Sequence, residues 1–153
     1  MTLKYLSCFK KKYSLKSLKY LAIASMILLF FLGNNVSGQS KEFTAKKNKD
    51  GIQVIEMKAN DFFFSPNIIT VTVNVPVEIR TIRKSQFTPH NIVIKAPEAG
   101  IDISESITQE PKVIKFTPTK TGKYLFYCDR KVFFFIKHSS KGMRGILKVI
   151  ESD

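Results

Sequence analysis

Residues 122–128 read Gly122-Lys123-Tyr124-Leu125-Phe126-Tyr127-Cys128. A glycine opens the stretch and aromatic side chains fill it, which marks a β-strand leaving a turn. Side chains alternate across a strand, so Tyr124, Phe126 and Cys128 share one face. Cys128 is therefore expected to point inward at the end of a core strand. The Gly122-Lys123-Tyr124 step also suits a tyrosine corner, a frequent feature of Greek-key sandwiches.

The same pattern extends outward on both sides. Strands are predicted at Gln53–Lys58, Ile68–Val73, Val77–Arg83, Asn91–Lys95, Lys112–Thr117, Lys123–Cys128 and Gly145–Ile150. They are rich in Val, Ile, Phe and Tyr, and Pro, Gly, Asn and Asp separate them. No part of this region has a strong helical period, and there is no internal repeat. Seven short strands in about 100 residues predict an all-β, antiparallel Greek-key β-sandwich of about seven to eight strands. In His90-Asn91-Ile92-Val93-Ile94, His90 shares a face with Ile92 and Ile94, so it too is expected to face inward at a strand end.

The chain has two histidines and two cysteines. Cys8 lies near the N-terminus. The others fall in the order His90, Cys128, His138, with Met143 following. Two imidazoles, one thiolate and a weakly held thioether form the donor set of a blue-copper site. The alternatives are ordinary: each histidine as a surface or core residue, Cys128 as an inert buried thiol, Met143 as a core filler. An unpaired thiol in an oxidising compartment is a liability unless something occupies it, and a metal would do so.

The N-terminus reads as an export signal. Lys4, Lys10, Lys11, Lys12, Lys16 and Lys19 precede an apolar run from Leu21 to Leu32 broken only by Ser25. Val36 and Gly38 suit the small-residue rule for cleavage after Gly38. Residues 1–38 are thus expected to be a signal peptide or an N-terminal anchor, 39–50 a flexible polar leader, and 51–153 the domain. A periplasmic or otherwise exported location follows. The formal charge of the whole chain is +13, but from Gln39 onward 19 basic side chains face 12 acidic ones, a net of +7. Beyond the N-terminal signal, the single lysine cluster, Lys46-Lys47-Asn48-Lys49, is too sparse for nucleic-acid binding.

Four short segments carry a family resemblance. Asp61-Phe62-Phe63-Phe64-Ser65-Pro66 precedes Ile69-Thr70-Val71, and Pro89-His90-Asn91-Ile92-Val93 carries the first histidine. Phe116-Thr117-Pro118 leads to the Gly122–Cys128 strand, and Gly142-Met143-Arg144-Gly145 closes the set. In this order they resemble the cupredoxins, the plastocyanin- and azurin-like blue-copper proteins, and the copper domain of oxidase subunit II. The resemblance runs from about Gln53 to the end. It implies one copper ion on His90, Cys128, His138 and Met143. It also implies that the Asn91 backbone N–H donates to the Cys128 sulfur, while the Asn91 side chain ties the two ligand loops together. The binuclear oxidase site needs a second cysteine near Cys128, and none is present.

The pattern departs from the family in one place. Nine residues separate Cys128 from His138, where small cupredoxins usually have two to four. The excess includes Val132-Phe133-Phe134-Phe135-Ile136. Such an apolar run is expected either to complete the core or to form a docking patch beside an exposed edge of His138. Phe62-Phe63-Phe64 is read as core and edge packing.

These readings predict a monomeric, exported electron carrier that docks near His138. Its partners would be cytochromes or copper oxidases and reductases with an acidic docking surface. The membrane enters only through the signal or anchor. A copper carrier or storage protein without redox turnover is the alternative. Catalysis by this chain alone is not expected: a copper enzyme needs further histidines, and no Gly-x-Ser-x-Gly nucleophile motif is present.

Overall fold

The computed structural model describes residues 40–132 and 135–152. The signal or anchor at 1–38 lies outside the described residues. The described chain is all-β. Its strands are β1 (Glu42–Thr44), β2 (Gln53–Asn60), β3 (Phe63–Ser65), β4 (Ile68–Thr72), β5 (Val77–Arg83) and β6 (His90–Ala96). They continue as β7 (Ile101–Ile107), β8 (Lys112–Phe116), β9 (Gly122–Tyr127), β10 (Lys131–Val132), β11 (Ile136–Lys137) and β12 (Arg144–Ile150). One sheet has the order β1-β4-β12-β9-β6-β7, a second has β3-β2-β5-β8, and β10 and β11 form a small hairpin.

Alternation builds the two facing layers. On β2, Gln53, Ile55, Met57 and Ala59 are buried while Glu56 and Lys58 are exposed. On β5, Val77, Ile79 and Thr81 turn inward. From the other sheet, Ile69 and Val71, Ile92 and Ile94, Phe126, and Leu147 and Val149 meet them in one core. The Phe64 and Phe126 rings touch edge to face at 5.4 Å between the layers. Gln53 is fully buried, but its amide is satisfied: Nε2 donates to the Thr72 carbonyl at 3.2 Å, and Oε1 accepts from the Thr72 N–H at 2.7 Å. The Tyr124 hydroxyl donates to the Lys120 carbonyl at 3.0 Å, so the tyrosine corner forms as expected.

All seven expected strands exist, within a few residues of their predicted ends. Three features differ. Among the described residues the strands number twelve rather than seven or eight. β7 was missed although Ile-Asp-Ile-Ser-Glu-Ser-Ile alternates, because its outward residues resemble a loop; Ile101, Ile103 and Ile107 are buried. The pairing is not wholly antiparallel either. β1 runs parallel to β4, β2 to β5 and β4 to β12, a pairing that needs the long crossover connection each of these pairs has. Finally, Glu42–Thr44, inside the stretch expected to be a flexible leader, forms β1 along the free edge of β4. Its side chains are exposed, so composition conceals it. Backbone pairing, the buried Ala45 and a Lys148–Glu42 ion pair of 2.6 Å hold it there.

Candidate metal centre

β6 begins at His90, and β9 ends one residue before Cys128. Val93 and Ile94 of β6 pair with Tyr127 and Phe126 of β9, so neighbouring strands deliver the histidine and the cysteine to the same end of the sandwich. His138 opens a 3₁₀ turn spanning His138–Lys141. The three side chains converge. His90 Nδ1 lies 3.2 Å from His138 Nδ1, and Cys128 Sγ lies 3.5 Å from His138 Nδ1 and 4.0 Å from His90 Nδ1. One donor atom from each residue falls within 4.8 Å of the others. Exposure is 1% for His90 and 0% for Cys128, His138 and Met143.

The nine-residue interval does not disturb this geometry. The His138 N–H donates to the Arg130 carbonyl at 2.8 Å, and β10 pairs with β11 from Lys131↔Lys137 inward. Lys131–Val132 and Ile136–Lys137 are therefore the paired arms of an excursion. The chain leaves at Arg130 and returns at His138, and only Asp129 and Arg130 span the gap to the cysteine. That matches the short ligand loop of the small family members.

Beyond the hairpin, the loop closes on itself. The Cys128 N–H donates to the Met143 carbonyl at 3.1 Å, the Ser139 N–H to the Cys128 carbonyl at 3.1 Å, and the Met143 N–H to the His138 carbonyl at 3.1 Å. Gly142 takes φ +99, a left-handed conformation suited to glycine, and this ends the 3₁₀ turn just before Met143. A Cβ on Gly145 would come within 2.2 Å of the Phe126 ring and 2.3 Å of the Asn67 carbonyl, so β12 can lie close to β9 only with glycine there. Met143 is thus fixed beside Cys128 and His138 through its backbone.

Asn91 braces the two ligand segments. Its Nδ2 donates to Asp129 Oδ1 at 2.7 Å, and the Asp129 N–H returns to Asn91 Oδ1 at 3.1 Å. The resemblance implied the brace but not its partner, Asp129. On the other side, Arg83 Nη1 and Ser85 Oγ both donate to the Thr88 carbonyl, at 3.2 and 2.8 Å, and pin the loop that feeds His90.

Electrostatics keep the donors neutral. Burial, and then the neighbouring His138, hold the His90 imidazole down to about 4, against an opposing pull from Asp61. Burial, with a smaller effect from Lys141, also lowers His138. Burial pushes the Cys128 thiol up, while the backbone N–H groups of Asn91 and Arg130 donate to the sulfur and oppose that shift. Two neutral imidazoles presenting Nδ1 beside one buried sulfur match the preferred donors of copper, and binding would displace the thiol proton. The described residues contain one such cluster, enough for one ion. The outer nitrogens, Nε2 of His90 and of His138, are buried with no hydrogen-bond partner in the protein.

Two expectations change here. His138 presents no edge to solvent. The Phe62 ring packs against it at 5.1 Å and 88°, so Phe62 is more than edge packing. The apolar run does not complete the core at Phe135 and Ile136, which are 84% and 45% exposed. A hairpin that leaves the sandwich carries these side chains away from the layers. The side chains of Val132, Phe133 and Phe134 lie outside the described residues.

The comparisons agree with this architecture. The model of the cupredoxin-like domain family matches residues 22–143, and the chain belongs to that family. Among solved structures it is similar to the metal-binding domain of the Cu(I)-exporting P-type ATPase CopA of Streptococcus pneumoniae. The two are 26% identical over 74% of this chain and 100% of that one, with a TM-score of 0.55. A copper-binding protein solved in its apo form is 23% identical over 73% and 100% of the two chains, with a TM-score of 0.52. The periplasmic domain of cytochrome oxidase subunit II of Bradyrhizobium japonicum shares the fold at 13% identity, over 65% and 84% of the two chains, with a TM-score of 0.51. No curated protein sequence matches the chain.

Proposed function

We propose that this chain is an exported electron carrier that holds one copper ion on His90, Cys128 and His138, with Met143 as a weak axial donor. The observation that carries the reading is the convergence of two histidine Nδ1 atoms and one cysteine sulfur within 4.8 Å, in a buried site braced by bonds outside the donor set. Bound copper would supply one-electron chemistry by alternating between Cu(I) and Cu(II).

The residues around it have separate tasks. The two sheets hold His90 and Cys128 at fixed strand ends, so little needs to move between oxidation states. The Asn91–Asp129 brace and the Arg130–His138 backbone bond fix the loop. Burial excludes water, and with no further histidine to spare, the chain by itself is not an enzyme.

The partner is a redox protein such as a cytochrome, oxidase or reductase. Phe87, 86% exposed, lies three residues before His90, and Phe135 lies three residues before His138. Exposed cations at Lys84, Arg130, Lys131, Lys137 and Lys141 occur in the same segments. Apolar contacts with a basic rim suit a partner with an acidic docking surface, chiefly by speeding encounter.

A copper carrier is the second reading, favoured by the 26% identity to a domain of a copper-exporting ATPase. Voltammetry combined with copper-transfer kinetics separates the two. An electron carrier shows reversible one-electron cycling and retains copper against a chelator. A copper carrier gives up Cu(I) readily and cycles poorly.

A further inference from the structure

We propose that Phe62 is the shield over His138, closing the outer edge of that imidazole to water and to small external ligands. Three independent features meet at this residue. Its ring stands perpendicular to the His138 ring with centroids 5.1 Å apart. His138 is 0% exposed, and its Nε2, like that of His90, is buried with no partner in the protein, so water is kept from it although a buried polar atom ordinarily finds a partner. The backbone of Phe62 has φ +62, a left-handed conformation that a bulky side chain adopts only when its surroundings over-determine it.

The ring is also held from outside. Lys141 Nζ lies over it at 5.0 Å from the centroid, within the range of a cation–π contact. Lys141 belongs to the same 3₁₀ turn that begins with His138. One short turn therefore supplies both the imidazole and the cation that contact the Phe62 ring. The strained turn between β2 and β3 is what brings the ring there. A residue placed only to fill the core would not need a left-handed backbone or a cation over its ring.

The inference concerns access to His138. It draws on the copper reading only for the consequence that external ligands are kept from the metal. Acylation of histidine by diethyl pyrocarbonate, mapped by peptide mass spectrometry, tests it on the full-length chain at neutral pH, with and without added copper. His138 should react slowly in the natural sequence. In Phe62→Asn, where asparagine tolerates the positive φ, reaction at His138 should rise roughly ten-fold or more while His90 stays protected. If that variant does not fold, Phe62→Gly, best suited to this backbone, carries the same expectation. An unchanged rate at His138 would overturn the proposal. So would an equal rise at His90, which would mean general loosening rather than removal of a shield. A chain that takes up no copper still gives the metal-free comparison, so failure of the copper reading and failure of this inference are distinct results.

Discussion

Asn91 and Asp129 hold each other twice, side chain to side chain at 2.7 Å and backbone to side chain at 3.1 Å. The pair joins the start of β6 to the residue after Cys128, so it fixes the distance between two donors from different strands. Asn91→Ala removes both bonds and leaves a nearly buried gap. It is expected to cost about 1–3 kcal/mol in denaturant unfolding and to broaden the visible spectrum of the copper-loaded protein. A variant with unchanged stability and spectrum would show that the backbone alone sets the loop.

The β10–β11 pair is an excursion from a loop that closes without it, through the Arg130–His138 backbone bond. Replacing Lys131–Lys137 with two glycines should therefore preserve copper binding and colour while slowing electron transfer to the partner. Phe135→Ser should do the same with a stability change within about 0.5 kcal/mol, since an exposed side chain far from caps and cores is a mild site. By contrast, Phe126→Ala should cost about 3–5 kcal/mol, because its buried ring packs between the sheets. If Phe135→Ser destabilises as Phe126→Ala does, the hairpin is core and not a docking surface.

The metal-free protein should lose stability in acid. His90 is held at about 4 by burial and His138, whereas an unfolded histidine titrates near 6.5. Between those values the unfolded chain binds the extra proton, so the contribution is fully present above about 6.5 and lost as pH falls toward 4. His138 is lowered too and acts in the same direction. The loss from His90 amounts to at most roughly 3 kcal/mol, and denaturant unfolding at several pH values would measure it. His90→Gln should flatten much of the dependence. Stability independent of pH over this window would contradict the buried, neutral imidazole.

The seven core strands were legible because burial on one face imprints a period of two, as in β2 and β5. β1 was not, because its three exposed residues are held by backbone pairing, which leaves no side-chain signal. The cluster of His90, Cys128 and His138 was legible because these residue types are scarce and ordered. What the sequence could not convey was the path between them. The nine-residue interval looks too long until the bond from His138 to Arg130 shows that the chain closes the loop on either side of the β10–β11 pair. Phe62 was hidden for a similar reason: its role depends on a left-handed backbone, and phenylalanine gives no hint of one.

Met143 is fully buried and bonded through its backbone to Cys128 and His138. As a weak axial donor it should stabilise Cu(II) slightly. Met143→Leu is then expected to keep copper and colour and to raise the reduction potential, read by voltammetry. Complete loss of colour would assign Met143 to loop structure instead.

The most direct measurement is the visible spectrum of the full-length chain titrated with Cu(II). A copper–thiolate bond to Cys128 predicts an intense charge-transfer band that saturates at one copper per chain, together with narrow hyperfine splitting in electron paramagnetic resonance. Cys128→Ser should abolish the band. A pale complex with ordinary tetragonal parameters, or a band that survives Cys128→Ser, would contradict the blue-copper assignment.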